Sequence, residues 1–192
     1  HSYSDTEVLL YAYREWGEHC VDRFLGMFAF AIWDERNQRL FCARDRIGIK
    51  PFYYAFDGKT LAFGSEIKAI IASGLVKAES DMPGLQDYLT FQFCLGERTL
   101  FKNILKLEPG YCMTVQLHSD RLSLHPRQYW DLRYEIDEEH DERWFVDHLA
   151  GLIEDATRMH LRSDVPLGAH LSGGLDSSTV VCLASSLLQG ER

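Results

Sequence analysis

The segment covering residues 27–33 restricts the fold of this 192-residue chain more than any other feature. It reads Met-Phe-Ala-Phe-Ala-Ile-Trp, so its side chains are apolar at every position and not at alternate positions. Because successive residues of a strand point to opposite faces, a strand of this kind needs apolar cover on both sides. The segment therefore predicts layered sheets and excludes a hairpin that has one face in water.

The surrounding patterns predict that the first 128 residues are rich in sheet. An Asp57-Gly58 turn between two β-prone runs indicates a hairpin. Ser4 begins a capping pattern ahead of an apolar helical run that ends at Gly17. Strands are predicted at residues 27–33, 39–43, 52–56, 60–64 and 111–117, and helices at 4–16, 67–72 and 85–93.

The character of the sequence changes at residue 129. Residues 129–143 are polar and acidic, which is typical of a solvated linker. An amphipathic helix to about residue 162, a short strand at 165–171 and an apolar helix from about 177 to 188 are predicted to follow. This order is the opening of a parallel α/β domain. We therefore predict a first domain at 1–128, a linker at 129–143 and the beginning of a second domain at 144–192.

A glycine-rich loop lies between the predicted strand and the last helix. It reads Ser172-Gly173-Gly174-Leu175-Asp176-Ser177-Ser178. Two glycines allow the backbone to approach a ligand closely, and the helix N-terminus that follows offers amide donors to phosphate oxygens. The serine hydroxyls add donors, and Asp176 is an oxygen ligand suited to Mg²⁺. The loop lacks the lysine and spacing of a P-loop, and it resembles the pyrophosphate loop of the ATP-pyrophosphatase superfamily.

Charge and composition narrow the functional classes. A formal charge of −9 argues against broad binding of nucleic acid or of anionic membranes, and no apolar run is long enough to cross a bilayer. The five cysteines are scattered without a metal-binding spacing, which is typical of free thiols in a cytoplasmic protein. The eight histidines show no zinc spacing either, and we interpret Arg44-Asp45-Arg46 as fixing a tight turn or a domain interface.

Five blocks, in order, identify the chain as similar to the asparagine synthetases that hydrolyse glutamine. The resemblance covers essentially the whole chain. The blocks are residues 26–34 (GMFAFAIWD), 43–54 (ARDRIGIKPFYY), 64–69 (GSEIKA), 99–104 (TLFKNI) and 161–169 (LRSDVPLGA), the last of which leads into the glycine-rich loop.

The resemblance implies a fold of the α/β (α+β) class. A four-layer α/β/β/α glutaminase domain of the N-terminal-nucleophile (Ntn) type is followed by the start of a Rossmann-like ATP-pyrophosphatase domain. It also implies a reaction in which ammonia from glutamine attacks an aspartyl-adenylate made from aspartate and Mg-ATP. The expected partners are therefore small molecules (glutamine, aspartate and ATP), with Mg²⁺ as the metal and a cytoplasmic location. The sequence leaves a homodimer open.

The resemblance also assigns residues. Asp5 matches the aspartate that binds the α-amino group of glutamine, although an acid at a helix N-terminus has a purely structural interpretation as well. Leu171 matches a position that lines the nucleotide pocket through its backbone, and the ATP-binding set continues with Ser172, Gly173, Gly174, Leu175, Asp176, Ser177 and Ser178. The family's nucleophilic cysteine would precede His1 and its later synthetase strands would follow Arg192. We therefore expect these residues alone to catalyse neither reaction.

Two other interpretations remain open from the sequence. One is an ATP-dependent ligase of the same architecture with a different substrate, such as a β-lactam synthetase or a lasso-peptide cyclase. The other is a non-catalytic paralogue that uses the Ntn layers as an interaction module. An intact glycine-rich loop argues against the second, and a cysteine at position 2 of the complete protein would argue for a working glutaminase.

Overall fold

A computed structural model describes residues 4–118 and 121–190 of the chain and divides it into two compact units. The first unit is His1–Arg133 and the second is Tyr134–Arg192. Both helices and strands are present, so the chain is a mixed α/β protein.

The first unit contains two antiparallel sheets and three α-helices in its described part. Its four-stranded sheet has the order β1-β2-β6-β7 and its three-stranded sheet the order β4-β3-β5. In chain order its elements are α1 (Asp5–Trp16), a 3₁₀ helix (Gly17–Arg23), β1 (Ala29–Asp34), β2 (Arg39–Arg44), β3 (Tyr53–Phe56), β4 (Leu61–Gly64), α2 (Ile67–Ala72), α3 (Met82–Phe91), β5 (Leu105–Lys106), β6 (Tyr111–His118) and β7 (Arg121–Gln128).

The predicted strands, hairpin and helices of this unit are confirmed, with small shifts at their ends. The largest shift is at α3, which begins at Met82 and not at residue 85. Its earlier start follows from Asp81, whose carboxylate accepts a hydrogen bond from the Gly84 amide at 2.8 Å and so caps the helix. The strands β5 and β7 had no sequence prediction, since β5 is only two residues long and β7 contains Pro126.

Apolar side chains cover both faces of the four-stranded sheet. On one face Phe41, Ala43 and Cys112 pack with residues of α1 and the 3₁₀ helix. On the other face Cys42 and Met113 join a cluster with residues of the three-stranded sheet. The neighbouring positions 41, 42 and 43 thus alternate between the two clusters, as strand geometry requires. The cover on both faces that residues 27–33 predicted is confirmed, since Phe28 and Phe30 pack in the first cluster and Ala29 and Ala31 in the second.

A third cluster lies on the three-stranded sheet. Ala55 of β3 packs there with Ile70 of α2 and with Ile104, and all three side chains are buried. The three-stranded sheet therefore packs against the four-stranded sheet with one set of its side chains and against α2 with another set.

Over residues 134–190, the second unit consists of two helices and the loops around them. The helices are α4 (Glu142–His160) and α5 (Leu175–Gly190), which confirms both predicted helices. The strand predicted at residues 165–171 is wrong, because that segment has no regular secondary structure. A strand exists only when a neighbouring strand accepts and donates its hydrogen bonds, and residues 134–190 contain no strand that could do so.

The residues between the last strand and α4 divide into two kinds. Tyr129 and Trp130, which the prediction places in the linker, both donate backbone hydrogen bonds to the Gly110 carbonyl, at 2.8 and 3.2 Å. The side chain of Tyr129 also packs against the first apolar cluster. Residues 131–141 have no helix or strand, and the domain limits derived from the sequence stay a prediction.

In the part of the chain that the structure describes, no helix combines the length and apolar character needed to span a bilayer.

Candidate functional site

The glycine-rich loop closes on itself at the beginning of α5, which contains the last four residues of the loop. The hydroxyls of Ser172 and Ser177 lie 2.9 Å apart, so one donates to the other, and the Gly174 amide lies 3.4 Å from the Ser172 hydroxyl oxygen. The Gly174 carbonyl accepts from the Ser178 amide at 3.1 Å and from the Ser178 hydroxyl at 2.8 Å. The loop is therefore a compact turn joined to the first turn of the helix.

Gly173 sets the direction of this turn. Its φ angle is +84°, a region that side-chain-bearing residues rarely adopt, whereas no atom lies within 4 Å of the position that a Cβ would occupy. The glycine is therefore required by its backbone conformation and not by crowding. It leaves open space beside the backbone, which a ligand approaching the loop needs.

Asp176 lies in the first turn of α5 and is exposed to solvent. The partial positive charge of the helix N-terminus favours an anion there, and the first amides of a helix have no carbonyl of their own helix to bind. Seven consecutive residues thus supply amide donors, hydroxyls and one carboxylate at the beginning of α5. This donor set fits a phosphate group together with Mg²⁺, which prefers oxygen ligands and commonly takes one or two carboxylates plus substrate phosphates.

The hydroxyl partners of the loop serines and the exposure of the leucines could not be predicted from the sequence. The Ser177 and Ser178 hydroxyls donate to the Gly174 carbonyl, so each would have to rotate in order to donate to a phosphate. Leu171 and Leu175 are 60% and 83% exposed, and both are therefore accessible from solvent. The assignment of Leu171 and of residues 172–178 to a nucleotide stays a prediction.

Asp5 occupies a different setting, at the beginning of α1 in the first unit. The Ser4 hydroxyl accepts from the Thr6 amide at 3.2 Å and caps this helix. Asp5 lines an open cleft of about 520 Å³ that runs along the segment 27–33, whose strand β1 is the outermost strand of the four-stranded sheet. A cleft that combines an acid with apolar side chains can bind an ammonium group whose carbon chain lies against those side chains.

Besides α1 and the segment 27–33, three other residues line this cleft, and sequence reasoning did not find them as site residues. They are Lys50, Pro51 and Ser65. Lys50 and Pro51 belong to one of the family-like blocks, but nothing in their spacing connects them with a residue 45 positions earlier in the chain. The pairing of β1 with β2 places the end of β2 beside β1, whose residues line this cleft.

No cluster of three or more histidine, cysteine, aspartate or glutamate side chains able to hold a metal occurs in residues 4–118 and 121–190. Asp176 supplies one carboxylate, and Mg²⁺ is commonly bound by one or two carboxylates together with substrate phosphates and water.

The family model described as a glutamine amidotransferase domain matches residues 1–130, and the model described as asparagine synthase matches residues 148–191. The glycine-rich loop lies inside the second match.

Three similar proteins illustrate the range of relatives. The chain is 43% identical to glutamine-hydrolysing asparagine synthetase 3 of Bacillus subtilis, over 98% of the chain and 30% of that protein. It is 38% identical to a putative glutamine-hydrolysing asparagine synthetase 2 of Methanocaldococcus jannaschii, over 93% of the chain and 34% of that protein. It is 35% identical to amidase chry2 of Gibberella zeae, over 97% of the chain and 27% of that protein. The chain thus spans about a third of the length of the curated relatives it matches.

Proposed function

Because the chain belongs to the glutamine amidotransferase domain family, we propose that it forms part of a glutamine-hydrolysing asparagine synthetase. The observation that carries this proposal is the order of the two family matches along one chain, with amidotransferase first and asparagine synthase second. A glutaminase joined to a synthetase can supply ammonia to a second reaction. The named relatives of this chain in Bacillus and Methanocaldococcus support the same combination.

The proposed overall reaction has two halves. Glutamine and water give glutamate and ammonia in the first half. In the second, aspartate and ATP give an aspartyl-adenylate and pyrophosphate, and ammonia then displaces AMP to form asparagine. Transfer of ammonia within the protein would keep it from protonation and loss.

The packing of the first unit supports a four-layer α/β/β/α arrangement of the Ntn type. The three clusters join α1 to the four-stranded sheet, that sheet to the three-stranded sheet, and the latter to α2. For the second unit we propose the beginning of a Rossmann-like ATP-pyrophosphatase domain, which the asparagine synthase match supports. A cytoplasmic location belongs to the same proposal.

In the first unit, we propose that Asp5 binds the α-amino group of glutamine. Its support is the position of Asp5 in a cleft that is lined by both apolar and polar residues. The test compares glutamate release by full-length protein carrying Asp5→Asn with that of Glu15→Gln, an exposed acid on the same helix. Loss of a charge-assisted contact of about 1.5–3 kcal/mol predicts that Asp5→Asn raises the KM for glutamine about tenfold or more. Equal KM values in the two variants would exclude this role.

In the second unit, we propose that the backbone of Leu171 and of residues 172–178 holds the β- and γ-phosphates of ATP, with Asp176 as a ligand of Mg²⁺. Bound there, Mg²⁺ would offset the negative charge of the phosphates. The support is the exposed turn before α5, with Gly173 in a left-handed conformation and Asp176 in the first helical turn.

Titration of full-length protein with Mg-AMP-PNP in a calorimeter tests this assignment. Asp176→Ala should weaken binding about tenfold or more, since a charged ligand of the metal is removed. Asp164→Ala removes an exposed acid of the same unit that lies outside the loop, and it should leave binding unchanged. The assignment fails when both variants bind the nucleotide as tightly as the wild type.

A second candidate function follows from the relative named as an amidase. A protein of this architecture could act on an amide other than the one proposed. Product analysis separates the two functions, because an asparagine synthetase must form asparagine from aspartate, glutamine and Mg-ATP in an amount equal to the AMP released. Hydrolysis of a different amide, without any asparagine formed, would favour the second candidate.

A further inference from the structure

The segment after β2 turns around the side chain of Asp45. This side chain is 1% exposed, and its two carboxylate oxygens accept hydrogen bonds from the amides of Ile49 and Lys50, both at 2.9 Å. The Asp45 carbonyl accepts from the amides of Gly48 and Gly110, at 3.1 and 3.0 Å. One buried acid thus organises the turn and joins it to the segment before β6.

The preceding residue, Arg44, stabilises the same turn by donating hydrogen bonds to its backbone carbonyl groups. Its guanidinium donates to the carbonyls of Gly48 at 2.7 Å, of Lys50 at 2.8 Å and of Leu107 at 2.7 Å. Arginine can reach three acceptors at once because its donors lie in a rigid planar fork. The last of these acceptors belongs to a part of the chain 63 residues away, so the turn is fixed to the body of the unit.

Both backbone polar groups of Lys50 are therefore held by charged side chains. Its amide donates to Asp45 and its carbonyl accepts from Arg44. Lys50 and Pro51 line the cleft that contains Asp5, whereas Arg44 and Asp45 do not line it. Two charged residues outside the cleft thus determine where one of its walls lies.

We propose that Arg44 and Asp45 are positioning residues for the glutamine cleft and act through the backbone of Lys50 and Pro51. The inference rests on the proposed glutaminase function and deepens it. Hydrogen bonds to charged groups are the stronger ones in proteins, so the pair can hold a segment that has no helix or strand of its own. Loss of this restraint lets the wall move relative to Asp5 and weakens glutamine binding.

Asp45→Asn in the full-length protein tests the inference. The substitution keeps the size of the side chain but places an amide NH₂ against one of two backbone N–H groups, so one of the two bonds is lost. We expect the KM for glutamine to rise about tenfold, as loss of one charge-assisted hydrogen bond implies. Asparagine formation from added ammonia does not use the cleft, and its kcat should stay within about twofold of the wild type.

Asp57→Asn is the matched control. One oxygen of the Asp57 carboxylate accepts two backbone amides in a turn, those of Lys59 at 2.9 Å and Thr60 at 2.7 Å, but Asp57 is exposed and does not line the cleft. It should leave the KM for glutamine unchanged. If Asp45→Asn yields no folded protein, Arg44→Lys decides by the same comparison, since it keeps the cation and removes most of the fork.

The inference is overturned if the variant has the wild-type KM for glutamine, or if it loses its glutamine- and ammonia-dependent activities in equal proportion. The second result would mean that the pair only stabilises the fold. If the wild-type protein itself releases no glutamate from glutamine, the proposed function fails together with the positioning role. If the wild-type protein is active and the variant has an unchanged KM, only the positioning role fails.

Discussion

The phenol of Tyr129 donates a hydrogen bond to the backbone carbonyl of Arg44 at 2.7 Å. These residues are 85 positions apart, and the bond joins the segment after the last strand to the end of β2. Arg44 is also the residue whose guanidinium holds the turn beside the cleft. The end of the first unit and the wall of its candidate site are therefore connected through one residue.

Tyr129→Phe should lower the free energy of unfolding by about 1–3 kcal/mol, because the Arg44 carbonyl loses its phenol donor. Tyr134→Phe removes the same hydroxyl from a side chain that is 90% exposed, and it should change stability little. Urea unfolding of both variants at pH 7 checks this expectation. Equal effects would mean that the bond contributes nothing measurable.

The same tyrosine predicts a pH dependence at the alkaline end. Burial raises the pKa of Tyr129 above its usual value, with a further contribution from Asp45. A group whose pKa is higher in the folded state contributes stability that is complete below the unfolded pKa of about 10 and is lost as the pH rises above it. Unfolding measured from pH 9 upward should therefore show a steeper decline for the wild type than for Tyr129→Phe.

A second network should matter at acidic pH. Hydrogen bonds from the side-chain and backbone amides of Asn37, and then from Tyr13 and Arg39, hold the pKa of Asp34 at about 2. A lowered folded pKa contributes stability that is present above the unfolded pKa of about 3.9 and is lost as the pH falls from there toward 2. Asp34→Asn should cost about 2 kcal/mol at pH 7 and much less near pH 2, as urea unfolding at the two pH values would show.

The control for that prediction is Glu35→Gln, which changes an exposed acid in the same turn. Glu35→Gln should leave the loss of unfolding free energy at acidic pH the same as in the wild type. If Asp34→Asn is equally destabilising at both pH values, the charge of the carboxylate is not the cause.

Gly110→Ala should be more destabilising than a substitution at another left-handed glycine. Gly110 has a φ angle of +70°, and an added Cβ would lie 2.5 Å from the Trp130 carbonyl oxygen. Gly74 has a similar φ of +78° with nothing within 4 Å, so Gly74→Ala measures the backbone strain alone. The difference between the two free energies of unfolding should be about 1–3 kcal/mol, the usual cost of overpacking. No difference would show that the Trp130 backbone moves aside freely.

Gly173→Ala should weaken binding of Mg-AMP-PNP by the full-length protein about tenfold, because an L-residue at φ +84° carries about 1–2 kcal/mol of strain that a shift of the loop would relieve. Gly168→Ala is the control, since that glycine has open space and no left-handed φ. Calorimetric titration measures both. Wild-type affinity in Gly173→Ala would contradict the importance of this backbone conformation.

Cys42 should react with iodoacetamide at pH 8 only after unfolding. It is fully buried, and burial raises its pKa to about 12, so the nucleophilic thiolate is scarce in the folded protein. Cys94 is partly exposed and should be labelled faster. Peptide mass spectrometry with and without urea gives both rates, and rapid labelling of Cys42 in the native state would contradict the packing between the two sheets.

Much of the secondary structure could be predicted because it depends on neighbouring residues. The Asp57-Gly58 turn indicated the hairpin of β3 and β4, and α2 has its predicted limits. The apolar segment 27–33 indicated cover on both faces before either sheet was known. The strand β7 could not be predicted in this way, since eight paired positions with β6 support it in spite of Pro126.

The sequence by itself determined the family-like blocks, the glycine-rich loop and the position of Asp5 at a helix start, because each depends on residues close together in the chain. Tertiary structure alone decided that Lys50 and Pro51 share a cleft with Asp5, and that residues 165–171 form no strand among residues 134–190. The physical reason is the same in both cases. A cleft wall and a sheet hydrogen bond each need a partner from a distant part of the chain, and local pattern contains no information about which partner that is.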